Sequence, residues 1–257
     1  MALTEEQRTA FWRDGFLPMH GVLTRDELGR LRERTDQIVH GNVGFPPQFI
    51  QVEPELAGRP ETEQLDPALR VRKMWELTRH DPVFAEYARH PFIVEVVRDL
   101  LGPDLKLFAD QMLLKPAFHG SAKPYHQDSP YWPIEPMELV TCWMALDDAT
   151  LENGCMRFLP GTHRLGPLPH HHLNTSHLVP EGWEEMSARP DEVALELKAG
   201  SCSFHHSLVL HETSPNRSAH PRRAITTAYM RSTSRYAGKG EQPDYLHIAG
   251  RVYPGCV

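Results

Sequence analysis

The sequence is poor in cysteine, has no surplus of positive charge and contains no long apolar run. Four cysteines in 257 residues (Cys142, Cys155, Cys202 and Cys256), none in a Cys-x-x-Cys pair, argue against a disulfide framework and a structural zinc site. They suit a reducing, cytoplasmic setting. Lys+Arg number 27 against 34 Asp+Glu, a net charge of -7. That balance lacks the basic excess that neutralises phosphates, so nucleic acid is not expected as a partner. No stretch approaches the roughly 20 apolar residues of a membrane span, and no membrane association is expected. The opening MALTEEQRTAFWRDG has acids and no apolar signal core, so it reads as a helix of the mature protein. The ending RVYPGCV matches neither a prenylation box nor a Ser-Lys-Leu tail. Walker A, nucleophile-elbow and dinucleotide glycine patterns are also absent. His211-Glu212 opens like a zincin motif, but Pro215 stands where its second histidine belongs.

With 40% hydrophobic and 24% charged residues, the chain is long enough to bury roughly 70 to 75% of its unfolded surface. A single domain over residues 1–257 is expected. Residues 1–104 read as mostly helical. Thr4 caps a helix through Arg13 with Gly15 as its stop, and Thr24 starts another that runs to His40. Pro82 opens a third, with Phe84, Tyr87, Ile93, Val96, Val97 and Leu100 recurring before Gly102. The proline-rich stretch 41–72 reads as a surface loop. Residues 105–231 read as β: strands are expected over 105–114, 139–147, 155–159, 193–197, 201–210 and 224–230. In the 139–147 strand, Val140, Cys142, Met144 and Leu146 form an apolar face for the helices, and Thr141 and Trp143 belong to a mixed face lining a cavity. Short strands without βαβ alternation imply a mainly β sandwich or closed barrel, with helices on one side. Residues 165–192 form an inserted loop, either a lid or a solvated excursion, and 232–257 a C-terminal tail.

Sixteen histidines and 34 acids in this length make about two His-x-Asp/Glu triplets expected by chance; one occurs, His126-Gln127-Asp128. On an extended segment residues i and i+2 point the same way, so one metal ion can accept both side chains. A third ligand must come from elsewhere. His211 ends the 201–210 strand, with His205 and His206 as rivals. Arg222 follows and shares a strand face with Ala224, Thr226 and Ala228, small residues that leave room for a ligand; Arg223 falls on the other face. Two imidazoles and a carboxylate make the facial triad of mononuclear non-heme iron oxygenases, and an arginine offers a planar fork for a carboxylate.

The stretches FWRDGFLPMHGVLTRDEL, YHQDSPYWP, WMALDDATLENGCMRFLPGTHR, FHHSLVLHETSPN and PRRAITTAY together resemble the phytanoyl-CoA dioxygenase family of Fe(II)- and 2-oxoglutarate-dependent oxygenases, over nearly the whole chain. The resemblance implies a double-stranded β-helix, the cupin-like jelly-roll barrel, with the N-terminal helices packed on one sheet. It implies His126, Asp128 and His211 as iron ligands and Arg222 as partner of the distal carboxylate of 2-oxoglutarate. It adds Thr213 and Trp143 beside that co-substrate, Lys73 reaching the same pocket, and Gln127, although strict alternation turns Gln127 away from the metal. Turnover would consume O2 and release succinate and CO2 while a small-molecule metabolite is oxidised. A carboxylate at Asp128, where related halogenases have a small residue, favours hydroxylation or desaturation.

Structural alternatives stand beside these roles. Trp143 also suits the core and Lys73 the surface. Tyr125, Tyr131, Trp132 and Asn153 either line the substrate pocket or pack its rim. The same triad would serve a zinc-dependent hydrolase or a metal-binding jelly-roll protein without turnover; Arg222 with Thr213 separates these readings.

Overall fold

The computed structural model describes residues 1–174, 177–186 and 189–257. Two antiparallel sheets face each other. In the larger, the strands pair in the order Phe16–Met19, Cys202–His206, Val140–Ala145, Arg222–Arg231, Leu105–Lys115, Val71–Trp75 and Ile50–Val52, and His247–Ala249 adds to the end of Leu105–Lys115. The smaller runs Val193–Leu195, Met156–Phe158, His211–Thr213 and Lys123–His126. The inner faces pack through Phe16, Trp143, Phe158 and Ala224, with the Phe16 and Phe158 rings stacked at 4.5 Å. This is the two-sheet, mainly β architecture with flanking helices that the sequence implies.

Helices cover the outer face of the larger sheet. Thr4 and Thr24 each form a full capping box, with Gln7 and Glu27, and start the helices Glu5–Asp14 and Arg25–Val39. Phe11, Leu31, Ile38, Val96 and Val97 meet the outward residues Val140, Cys142, Met144 and Ile225 in the main core. The alternation read in the 139–147 strand therefore sorts its two faces correctly: Thr141 and Trp143 turn to the cavity between the sheets.

Three expectations are corrected. The third helix is broken into Pro82–Tyr87 and Pro91–Leu101, because Pro91 pushes His90 out of helical geometry (ψ 124°). The 41–72 loop and the 232–257 tail both supply strands to the larger sheet, as does Phe16–Met19, so the sheet is not confined to residues 105–231. The 165–192 segment carries a hairpin, His170–Asn174 with His177–Pro180, and a one-turn helix, Trp183–Met186. Its side chains Leu168, Trp183 and Met186 pack on Tyr125 of the smaller sheet and on Leu159 and Leu210, which flank its strands, so it sits against the strand that carries His126.

Candidate metal centre and its cavity

Two histidines distant in sequence become neighbours by strand pairing. His126 lies directly opposite His211 in the small sheet, their ring centroids 4.2 Å apart. The strand then ends. Asp128 has helical angles (φ -77°, ψ -47°) where it opens the 3-10 turn Ser129–Tyr131, and the amides of Asp128 and Ser129 both donate to the Ser207 carbonyl, at 2.8 and 3.0 Å. The convergence expected from an extended i, i+2 pair is thus achieved by a clamped turn. Asp128 Oδ1 lies 3.6 Å from His126 Nε2 and 3.8 Å from His211 Nε2. All three ligand atoms fall within 4.8 Å of one another, close enough to hold one metal ion.

Backbone carbonyls set the tautomers. His126 Nδ1 meets the Pro124 carbonyl at 2.9 Å and His211 Nδ1 meets that of Val209 at 3.0 Å. A carbonyl only accepts, so each Nδ1 carries the proton and each Nε2 keeps its lone pair toward Asp128. Burial pushes His126 well below the ordinary histidine value and His211 down to about 4, leaving both neutral at pH 7. Burial alone would raise Asp128, but His211, His205 and His126 outweigh it and hold the carboxyl below its usual range. The set is two neutral imidazoles and one carboxylate, ready to ligate.

The triad opens into a cavity of about 560 Å³, within the range of small-molecule sites. The facing wall is the larger sheet, where Trp143, Arg222, Thr226 and Ala228 point inward. Arg222 is only 2% exposed. Its guanidinium lies 5.2 Å from the Trp143 ring centre, and among the described residues its one polar contact is a 3.5 Å approach to the Leu113 carbonyl. Among the described residues no carboxylate lies within 4 Å of it, and its Nε has no partner. Burial lowers it to about 10, which leaves it charged at pH 7. Trp143 Nε1 and Thr141 Oγ1, on the same wall, are likewise buried and unpartnered. A buried charge without a counter-ion costs several kcal/mol, and these orphaned donors fit an anionic, carboxylate-bearing ligand. Thr213, on the same strand face as His211, adds a hydroxyl from the opposite side, and half-buried Lys73 lines the cavity with its Nζ 5.4 Å from the Trp75 ring centre.

Three expected pocket residues lie elsewhere. Gln127 is fully buried but turned outward: its amide donates to the Gly166 and Leu208 carbonyls and accepts from the Leu168 amide, tying the 165–168 turn to the sheet. The strand alternation decides against it as a co-substrate contact. Tyr125 points to the same outer face, packs on Leu159 and Leu210 and donates to Glu192 at 2.6 Å. Asn153 braces its own turn, accepting from the Thr150 amide and donating to the Asp148 carbonyl. Tyr131 and Trp132 do line the cavity. Sequence reasoning missed Arg72 and Lys123 on its walls. The Val71–Trp75 alternation was the available signal for the first, hidden beside five prolines. His205, weighed earlier as a rival ligand, is buried against the second carboxylate oxygen of Asp128 at 3.6 Å.

A family profile described as phytanoyl-CoA dioxygenase (PhyH) matches residues 11–224. The chain belongs to the phytanoyl-CoA dioxygenase family. A probable phytanoyl-CoA dioxygenase of Caenorhabditis elegans is 30% identical over 237 residues, covering 88% of this chain and 75% of that protein. An ectoine dioxygenase of Bordetella parapertussis is 25% identical over 273 residues, 97% of this chain and 83% of that one. The crystal structure of EctD from S. alaskensis with bound Fe superposes with a TM-score of 0.77 at 23% identity, over 100% of this chain and 87% of that one, which supports the fold. As a phytanoyl-CoA dioxygenase family member the protein is a 2-oxoglutarate-dependent non-heme iron oxygenase, using Fe(II) and 2-oxoglutarate.

Proposed function

We propose that this enzyme hydroxylates, or otherwise oxidises, a small-molecule metabolite and releases succinate and CO2. The observation that carries the reading is the unpaired buried guanidinium of Arg222 on the wall facing the His126, Asp128 and His211 donors of one cavity. His126 Nε2, His211 Nε2 and one Asp128 oxygen hold Fe(II), their tautomers fixed by the Pro124 and Val209 carbonyls. Arg222, with the Thr213 hydroxyl, receives the distal carboxylate of 2-oxoglutarate as a charge-assisted fork. Trp143, beside the Arg222 guanidinium and with an unpartnered indole N–H, would offer that carboxylate a further donor, and Lys73 would add positive charge to the same chamber. Bound together, iron and 2-oxoglutarate supply an oxidative decarboxylation with O2 that is coupled to substrate oxidation. The protein's share is placement and exclusion of water: Thr226 and Ala228 are small enough to leave the co-substrate its space, and Tyr131 and Trp132 close the rim.

A zinc hydrolase would use the same triad but has no role for a buried arginine without a counter-ion. With the Asp128 carboxylate in the donor set, where the resemblance gives halogenases a small residue, hydroxylation or desaturation is favoured. The test is anaerobic reconstitution with Fe(II) followed by 2-oxoglutarate, with the visible charge-transfer absorption and succinate release measured. Wild-type enzyme should show both, and Asp128→Ala should lose both while remaining folded by circular dichroism. Succinate release unaltered in Asp128→Ala would overturn the assignment.

A further inference from the structure

The cavity is more cationic than its iron chemistry requires. Its walls carry Arg72, Lys73, Lys115, Lys123 and Arg222 against one carboxylate, Asp128. A ferrous ion and a 2-oxoglutarate dianion cancel each other, so loading the site leaves the excess in place. Two of the cations are accounted for locally. Arg222 faces the co-substrate, and Lys115 donates to the Ser214 and Ser121 carbonyls, within electrostatic reach of Glu53 and Glu212. Lys73 stands on the wall that the co-substrate shares.

Lys123 remains. It begins the edge strand of the small sheet that ends at His126. Its ammonium lies 5.1 Å from the Tyr131 ring centre and 3.3 Å from the Tyr131 hydroxyl. Among the described residues no carboxylate approaches it within 4 Å. Asp128 attracts it from a distance, and Arg72 and Lys73 repel it. Burial, the largest influence, and these two cations together push its pKa down to about 8, so it still carries charge at neutral pH. Like charges gathered in a half-buried hollow are held at a cost that a bound anion relieves. Cation and hydroxyl side by side form the donor pair that a carboxylate or phosphate oxygen accepts.

We propose that the primary substrate is anionic, and that its carboxylate or phosphate is bound by Lys123 with the Tyr131 hydroxyl at the rim of the cavity, which holds the rest of the molecule toward the iron. This rests on the reading above, in which Arg222 is taken by 2-oxoglutarate. It narrows the candidate substrates to small organic acids and phosphate esters.

The experiment uses the full-length enzyme loaded with redox-inert Mn(II) and 2-oxoglutarate, with binding followed by calorimetry. The probes are hexanoate, hexyl phosphate and the neutral hexanamide. Wild-type enzyme should bind one of the anions at least about tenfold more tightly than the amide, and the preferred anion tells carboxylate from phosphate. Lys123→Met should bring anion and amide within about twofold of each other, and Lys123→Arg should restore the preference. Wild-type enzyme that prefers neither anion, or Lys123→Met that keeps the preference, overturns the proposal. A separate titration of 2-oxoglutarate before any probe is added reports on the underlying reading: failure there, with anion preference intact, faults the Arg222 assignment and not this one.

Discussion

Replacing Arg222 by methionine should pull stability and co-substrate affinity in opposite directions. In the enzyme without co-substrate, the guanidinium is buried, has an unpartnered Nε and faces no carboxylate among the described residues. Methionine keeps the stem that packs beside Trp143 and removes the desolvated charge. Exchanging buried ionic groups for apolar ones of similar volume commonly stabilises by about 1 to 4 kcal/mol, so Arg222→Met should melt at or above the wild-type temperature. The loaded enzyme behaves otherwise. Removing one partner of a buried charge pair costs about 3 to 5 kcal/mol, which corresponds to about 10²- to 10⁴-fold weaker binding of 2-oxoglutarate. Thermal denaturation gives the first quantity. Titration of 2-oxoglutarate into the Mn(II)-loaded protein, followed by calorimetry, gives the second. A structural arginine would lose stability on substitution and leave the titration nearly unchanged; that pair of results would refute the reasoning.

Gln127→Leu should act on the fold and not on the co-substrate. Three hydrogen bonds from the buried Gln127 amide to the 166–168 turn and Leu208 are lost, at about 1 kcal/mol each, so denaturant unfolding should register about 3 kcal/mol while the KM for 2-oxoglutarate stays within about twofold; a tenfold rise in KM at unchanged stability would contradict the placement. Acid should weaken the metal-free protein in a defined window. Burial holds His211 and His206 near 4, below the roughly 6.5 of the unfolded chain. Their contribution is therefore fully present above pH 6.5 and is lost as pH falls toward 4, by up to about 3 kcal/mol each. Melting temperatures measured from pH 7.5 to 4.5 should fall across that interval and be partly restored by Mn(II); a flat profile between pH 6.5 and 5 would count against neutral buried imidazoles.

The parts of the site legible in the sequence are those whose side-chain direction follows from strand periodicity. Thr213 faces the same way as His211, and Arg222 with Thr226 and Ala228 faces away from Arg223, which instead pairs with Asp147 and Asp36. Periodicity also says that Gln127 turns outward, and the resemblance pulled it wrongly toward the co-substrate. What stayed hidden depends on tertiary pairing. The three-residue strand Ile50–Val52 and its partner Val71–Trp75 are too short and too close to prolines to register as strands, so Arg72 went unnoticed. Lys123 lies before the His-x-Asp motif with no local pattern to mark it. Tyr125 and Asn153 resemble pocket residues in type, yet Tyr125 is drawn outward by Glu192, 67 residues away, and Asn153 is spent on its own turn through Thr150 and the Asp148 carbonyl. The helix break at Pro91 was legible from proline chemistry alone and was overridden by a continuous apolar pattern.

The larger sheet has a consequence for how such a catalyst diversifies. Its outward residues join the helices in a core built on Phe11, Ile38, Val97 and Ile225, while the reactive chamber rests on a separate, smaller cluster around Phe16, Trp143 and Phe158. Foldedness and selectivity thus draw on different sets of side chains. Rim positions can be exchanged to admit new molecules without loosening the helical layer, leaving a lineage free to retarget the same oxidising power one wall at a time.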